Sequence, residues 1–153
     1  MILGVDPGKT GAIAALTVDG RLAGVDDMPV TGSIVSAALL DELVHNRVDP
    51  LADRPGTAVI ELVHAMPGQG VTSMFSFGRS LGVVEGVLAA QEWSIEWVTP
   101  ARWKKTLGLS ADKDESRRRA IELWPEHAGL FARKKDNGRA EAALIAWWWL
   151  RHA

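Results

Sequence analysis

The sequence contains no cysteine and no tyrosine. The lack of cysteine excludes disulfides, thiol catalysis and zinc sites with cysteine ligands, so any metal must be held by carboxylates or histidine. No apolar run reaches the ~18 residues that a membrane-spanning helix needs. The first residues include no basic leader, and an acid stands at position 6, so we expect no signal peptide. Together these absences predict an unprocessed soluble chain that works in the cytoplasm.

The composition is that of an ordinary globular protein. The 153 residues are 47% hydrophobic and 24% charged, which excludes intrinsic disorder, a collagen-like fibre and a long coiled coil. A chain of this length hides roughly 70% of its unfolded surface when it folds. With no linker and no internal repeat in the pattern, we expect residues 1–153 to form a single domain.

Basic side chains are concentrated in the last third of the chain. The net charge is −2, yet residues 1–100 carry 5 basic and 12 acidic side chains, whereas residues 101–153 carry 12 basic and 7 acidic ones. Such an asymmetry is a recognised hint of nucleic-acid contact. A solvated basic helix explains the same pattern, and charge alone favours that simpler explanation.

Hydrophobic periodicity predicts a mixed α/β domain. Three apolar runs joined by short turns predict an antiparallel meander over residues 1–6, 12–18 and 22–28. Two further strands are expected at 57–63 and 94–98. Helices are expected at 33–47 with Ser33 as N-cap, 73–91, 100–107, 112–124 and 138–151. Within residues 73–91, Gly78, Gly82 and Gly86 share one face, which permits close packing of a neighbouring element there.

Four acids stand where a core would otherwise be expected. Asp6 ends the apolar run of residues 2–5, and Glu61 interrupts the apolar run of residues 58–63. Glu141 has Leu144 and Ile145 as helical neighbours, so it lies on or beside the face that packs on the sheet. Asp136 would lie at the mouth of that helix.

Burying an ionised carboxylate is costly unless it is paired or binds a cation. Four acids at one place repel one another, and Mg²⁺ or Mn²⁺ would relieve that repulsion. Two such ions can activate water and stabilise the leaving oxygen in phosphodiester cleavage. Taken singly, each acid is also explained by a cap, a strand end or an ion pair.

The run at residues 4–10, GVDPGKT, superficially suggests a phosphate-binding loop. Only three residues separate Gly4 from Gly8 where that motif needs four, and a strand follows instead of a helix. We therefore expect these glycines to allow a tight turn beside Asp6.

The sequence resembles the RuvC-type Holliday junction resolvases of the RNase H-like superfamily, especially the short phage and bacterial group. The similarity spans nearly the whole chain. It is carried by residues 2–8 with Gly11, by residues 58–61 with 69–79, and by residues 135–146.

The resemblance implies an RNase H-like fold, with a mixed five-stranded sheet flanked by helices. It implies a crossover junction endodeoxyribonuclease that binds one or two Mg²⁺ ions, with Mn²⁺ able to substitute. The implied ligands are Asp6, Glu61, Asp136 and Glu141. In RuvC proper the last two acids are usually three residues apart, whereas Gly138 stands at that position here. The implied partners are branched DNA and a second copy of the chain, in a bacterial cell or a phage host.

The resemblance also implies roles for basic and aromatic residues. Lys104 and Lys113 would approach the scissile strand or offset charge at its phosphate. The remaining implied DNA contacts are backbone contacts by basic residues and stacking by aromatic ones: Lys105, Arg117, Arg118, Lys134, Lys135, Phe75 and Phe77. Exposed solubilising side chains explain the basic residues equally well, and core packing is the simpler fate of the two phenylalanines.

Two other functions remain open at the level of sequence. An actin-like or kinase-type ATP-binding domain would use the loop at residues 6–10 for phosphates, although that fold needs two such domains. A catalytically inactive protein that binds branched DNA would share the fold and the basic residues but would no longer bind the metal.

Overall fold

The computed structural model describes residues 1–47, 55–64, 68 and 70–153. Residues 48–56, whose Asp and Pro content predicts a loop, fall largely outside the described residues, as does part of residues 64–72, which Gly, Pro and Gln also mark as a loop. Across the described residues, no helix combines the length and the apolar character that crossing a bilayer requires.

A five-stranded mixed sheet forms the centre of the domain. Its strands are β1 (Ile2–Asp6), β2 (Ala12–Leu16), β3 (Leu22–Asp27), β6 (Thr57–Glu61) and β7 (Ser94–Val98), in the spatial order β3-β2-β1-β6-β7. The first three strands pair antiparallel, and β6 and β7 continue the sheet in parallel with β1. This architecture confirms the fold class that the sequence predicts.

Helices cover both faces of the sheet. One face carries α1 (Ala37–His45) and α2 (Val71–Ala90), and the other carries α3 (Pro100–Thr106), α4 (Lys113–Leu123) and α5 (Asn137–His152). Helix α5 packs directly on β1 because Gly4 has no side chain: a Cβ there would lie 2.6 Å from the backbone nitrogen of Ala146. Two 3₁₀ turns, Pro125–Leu130 and Lys134–Asp136, connect α4 to α5.

The first helix begins later than the sequence predicts. A small hairpin pairs β4 (Val30–Thr31) with β5 (Ile34–Val35), so β5 occupies the start of the predicted helix, and Ser36 caps α1 in place of Ser33. Strands of two residues carry too little periodicity to be recognised in a sequence.

The close packing that the spacing of Gly78, Gly82 and Gly86 permits is not made inside the described part of the domain. A Cβ at any of the three would meet nothing within 4 Å. Helix α2 instead buries Ser80, Val84 and Leu88, which are offset from the glycines by two positions. Two positions correspond to about 200° around a helix, so the glycines face outward.

Candidate active site

Asp6 and Glu61 lie side by side at the carboxyl edge of the sheet. Each is the last residue of its strand, and β1 pairs in parallel with β6 so that Val5 stands opposite Ile60. The turn after Asp6 is tight, since the backbone nitrogen of Gly8 donates to Asp6 Oδ1 at 3.4 Å and a Cβ on Gly11 would lie 2.8 Å from Asp6 Cγ. This turn leads into β2, so it is not a phosphate-binding loop.

Helix α5 brings Glu141 to the same place. Because α5 packs along β1 at Gly4, its second turn passes over the end of that strand. Glu141 is 7% exposed, as is Glu61. The position of Glu141 on the helix face toward the sheet is therefore as the sequence predicts.

The three carboxyl groups act on one another electrostatically. Burial, together with the negative charges of Glu61 and Glu141, raises the pKa of Asp6 to about 7, against smaller opposing effects of the Gly8 N–H and Lys113. Burial is also the main cause of the raised pKa of Glu61, and Glu141 adds to it. The carboxyl groups of residues 6, 61 and 141 thus share one region of low dielectric, where a cation would stabilise their charged forms.

Helix α3 contributes two consecutive side chains to these acids. The indole nitrogen of Trp103 donates to Glu61 Oε1 at 2.8 Å, and Lys104 Nζ donates to Glu141 Oε1 at 2.6 Å. The Lys104 ammonium also lies 5.1 Å from the centroid of the Trp103 ring. The sequence predicts Lys104 as a site residue, but it does not reveal Trp103, which looks like an ordinary core residue.

Asp136 does not join this group. Both of its oxygens accept from Arg133, with a contact of 2.8 Å to the Arg133 guanidinium and another of 2.8 Å to its backbone nitrogen. These contacts hold the pKa of Asp136 below its usual value. Asp136 nevertheless lines the same cleft, and its carboxylate is engaged in closing the turn before α5.

Gly138, three residues before Glu141, leaves no room for a side chain. A Cβ at this position would lie 2.8 Å from the carbonyl oxygen of Thr10 and 2.9 Å from the Cα of Gly11. The start of α5 is pressed against the turn after Asp6, so an acidic side chain does not fit there without moving the backbone.

Asp6 and Glu141 open onto a cleft of about 480 Å³ that Glu61 does not line. Asp6, Glu141 and Asp136 line it together with Lys113 and Lys135. Asp27, the last residue of β3, also lines the cleft and binds Arg139 through two contacts of 2.6 and 2.7 Å. Sequence reasoning missed Asp27, although its place at a strand end is the same signal that marks Asp6.

A second groove of about 820 Å³ begins at the other side of the same turn. Lys9 and Thr10 line both the cleft and the groove, whereas His64 and Phe77 line the groove but not the cleft. Phe75 lies outward on α2 with 67% of its surface exposed. Core packing is therefore not the role of Phe75, and stacking on bases stays a prediction for both phenylalanines.

The predicted DNA-binding basic residues divide into two groups. Lys105, Arg118, Lys134 and Lys135 are exposed, as contact with a phosphate backbone requires. Arg117 is turned inward, where its guanidinium donates to the carbonyl of Ala132 at 2.8 Å and binds Asp114 at 2.7 Å. Arg117 therefore ties α4 to the following turn, and the geometry does not support a DNA contact for it.

Waters and substrate phosphates would complete the coordination of a divalent cation at this site. Among the residues that the structure describes, no three His, Asp or Glu side chains form a ready-made cage for a metal. Mg²⁺ does not need one, because it usually keeps several waters and takes one or two carboxylates together with substrate phosphates. The oxygen chemistry and the mutual repulsion of Asp6, Glu61 and Glu141 suit such an ion.

Comparisons with known proteins agree with this geometry. No protein-family model matches the chain. The structure of Thermus thermophilus RuvC in complex with a Holliday junction substrate superposes with a TM-score of 0.66 over 98% of this chain and 94% of that one, at 17% identity. The chain has the fold of RuvC. A second structure of RuvC from Thermus thermophilus covers 98% of the chain and 95% of its own length, with a TM-score of 0.54 and 18% identity.

A curated sequence relative points the same way. The chloroplastic Holliday junction resolvase MOC1 of Chlamydomonas reinhardtii is 33% identical over 142 residues. That alignment covers 86% of this chain, and the chain spans about 15% of the length of the curated relative. These matches confirm the resemblance to RuvC-type resolvases that the motifs indicate.

Proposed function

We propose that this chain is a metal-dependent DNA endonuclease that hydrolyses phosphodiester bonds in four-way junctions or other branched DNA. The observation that carries the proposal is the convergence of Asp6, Glu61 and Glu141 at the carboxyl edge of a RuvC-like sheet, where burial and the charges of Glu61 and Glu141 raise the pKa of Asp6. The similarity to MOC1 and to RuvC bound to a Holliday junction supports the same substrate. We also propose that residues 1–153 form a single RNase H-like nuclease domain.

The metal ligands that we propose are Asp6, Glu61 and Glu141, with one or two Mg²⁺ ions and Mn²⁺ as a substitute. A bound ion of this kind supplies an activated water and stabilises the leaving oxygen. The chain itself supplies positive charge, because Lys113 lines the cleft beside Asp6 and Lys104 lies against Glu141. Asp136 is the fourth ligand on the sequence pattern, but its contacts with Arg133 favour a role in shaping the turn.

DNA enters this proposal through the exposed side chains around the cleft. Lys135 lines the cleft itself, and Lys105, Arg118 and Lys134 are exposed on α3, α4 and the turn before α5. Contacts between such side chains and phosphates supply affinity that falls as salt rises.

A homodimer would place two such sites against opposing strands of a junction. The outward surface at the start of α2 is a candidate contact, because Val71 and Phe75 are 84% and 67% exposed there. Light scattering coupled to size exclusion tests this directly. A mass twice that of the chain is expected, and a monomer at micromolar concentration would refute the dimer.

We further propose a cytoplasmic location.

The experiment that tests the function uses a labelled four-way junction and a linear duplex of the same sequence. With Mg²⁺, the wild-type chain is expected to nick the junction and to leave the duplex intact. Asp6→Asn is the matched control, since it removes one negative charge with almost no change in volume. It should bind the junction and cut it about 100-fold more slowly or not at all.

Three outcomes would overturn the proposal. Binding without nicks by the wild type would favour an inactive junction-binding protein. Stabilisation by ATP, but not by Mn²⁺ alone, in thermal unfolding would favour the ATP-binding alternative. Cleavage by Asp6→Asn at the wild-type rate would remove Asp6 from the active site.

A further inference from the structure

Trp103 makes a contact that neither the motifs nor the comparisons assign. Its side chain is completely buried, yet its one polar atom does not bond to the backbone: it donates to Glu61 Oε1 at 2.8 Å. Glu61 Oε2 accepts no hydrogen bond from the part of the chain that the structure describes. The indole therefore fixes one oxygen of the carboxylate.

The chemistry of this donor suits an acid that must keep its charge. An indole N–H is a donor only and carries no charge, so it orients the carboxylate without neutralising it. The N–H opposes the effect of burial on the pKa of Glu61.

The position of Trp103 is rigid. Helix α3 begins with Pro100 after the cap residue Thr99, whose hydroxyl accepts from the backbone nitrogen of Arg102 at 3.3 Å. The ring packs in the core beneath α5. Burial of this kind leaves the indole essentially one orientation, and hence Glu61 one favoured orientation.

We propose that Trp103 is a positioning residue, whose indole N–H holds the Glu61 carboxylate in the orientation that binds a divalent cation. The inference rests on the proposed function, because it takes Glu61 as a metal ligand. Mutation of a residue that hydrogen-bonds a metal ligand, without binding the metal itself, typically lowers metal affinity 10- to 100-fold.

Trp124 provides a matched control within the same core. It is 2% exposed, and its indole nitrogen donates to the backbone carbonyl of Gly20 at 3.0 Å. Trp103→Phe and Trp124→Phe therefore each remove one buried N–H and leave an aromatic ring, but only Trp103 contacts an acid of the site. Both variants should lose stability, so stability alone does not distinguish them.

The first test measures Mg²⁺ binding to the full chain by calorimetry without DNA. Trp103→Phe is expected to bind Mg²⁺ about tenfold more weakly than the wild type, and Trp124→Phe with unchanged affinity. In a Glu61→Gln background, Trp103→Phe should cause no further loss, because the two residues act through one contact. Equal affinities for the two Phe variants, or no Mg²⁺ binding by the wild type, would overturn the inference.

The second test needs no substitution at Trp103 in the titrated protein. The ¹H–¹⁵N spectrum should contain seven indole N–H signals, one for each tryptophan, and the two Phe variants identify those of Trp103 and Trp124. Addition of Mg²⁺ is expected to shift the Trp103 signal in the wild type but not in Glu61→Gln, and to leave the Trp124 signal in place. A Trp103 signal that moves no more than that of Trp124 would refute the coupling.

These measurements separate the inference from the function on which it rests. A wild type that cuts junctions while Trp103→Phe and Trp124→Phe bind Mg²⁺ equally well would refute the inference alone. A wild type whose Trp103 signal responds to Mg²⁺ through Glu61, but which never cuts branched DNA, would refute the function and uphold the inference.

Discussion

Lys104 donates to Glu141 across the active site, with 2.6 Å between Nζ and Oε1. The side chains are 18% and 10% exposed, so water screens the pair only in part. The pair joins α3 to α5, while Trp103 joins the same helix to β6. One short helix thereby holds two of the three acids that we assign to the metal site.

Lys104→Met is expected to lower the free energy of unfolding by about 1–3 kcal/mol, because a partly buried carboxylate loses its charged partner. Cleavage should fall as well, since the repulsion among the acids is then less compensated. Lys105→Met is the control for stability: Lys105 is exposed, and its loss should change unfolding by less than about 0.5 kcal/mol. Equal urea midpoints for the two variants would contradict the role of the pair.

Lys113→Ala tests the second lysine, which lines the cleft and lowers the pKa of Asp6. A positive charge fixed beside a developing phosphate charge acts on the transition state. We expect the single-turnover cleavage rate to fall about 100-fold and the junction dissociation constant to change much less. An unchanged rate would make Lys113 an ordinary surface lysine.

Gly138→Ala tests the contact between α5 and the turn after Asp6. A Cβ there would lie 2.8 Å from the Thr10 carbonyl oxygen, so the start of α5 must shift and carry Glu141 with it. We expect a loss of about 1–3 kcal/mol in stability together with slower cleavage. Gly82→Ala is the control: its Cβ meets nothing within 4 Å, and alanine should stabilise the helix by about 0.5–1 kcal/mol. The same change in stability for both variants would refute the contact.

Asp136→Asn tests whether Asp136 binds the metal, as the sequence pattern predicts, or only holds the turn before α5, as its contacts indicate. The pattern makes Asp136 a metal ligand, whereas the structure binds its carboxylate to Arg133. We therefore expect Mg²⁺ affinity in Asp136→Asn to fall less than tenfold, well below the effect of Asp6→Asn, as measured by calorimetry. A loss as large as that of Asp6→Asn would restore Asp136 as a ligand.

Much of the fold was predictable because its strands and helices carry clear periodicity. The meander of β1, β2 and β3, the parallel strand β6 and the long helix α2 all follow from local patterns. The hairpin of β4 and β5 did not, because Val30–Thr31 and Ile34–Val35 are too short for a period to show. The exposure of Gly82 could not be predicted either, because α2 is apolar on several faces and its sequence does not show which of them is buried.

The acids were predictable, but their partners were not. Asp6, Glu61 and Glu141 stand out because each carboxylate lies in an apolar run. The contacts of Glu61 with Trp103 and of Glu141 with Lys104 join residues 42 and 37 positions apart, and no local pattern specifies such pairs. The engagement of Asp136 by Arg133 depends on the backbone of the turn that both occupy.

The most direct test of the account is the anomalous density of Mn²⁺ in crystals of the wild-type chain soaked in that ion. The account predicts a peak within coordinating distance of Asp6 and of at least one of Glu61 and Glu141, and its loss in Asp6→Asn. A bound Mn²⁺ elsewhere, with none near these carboxylates at saturating concentration, would contradict the claim that they form one metal site.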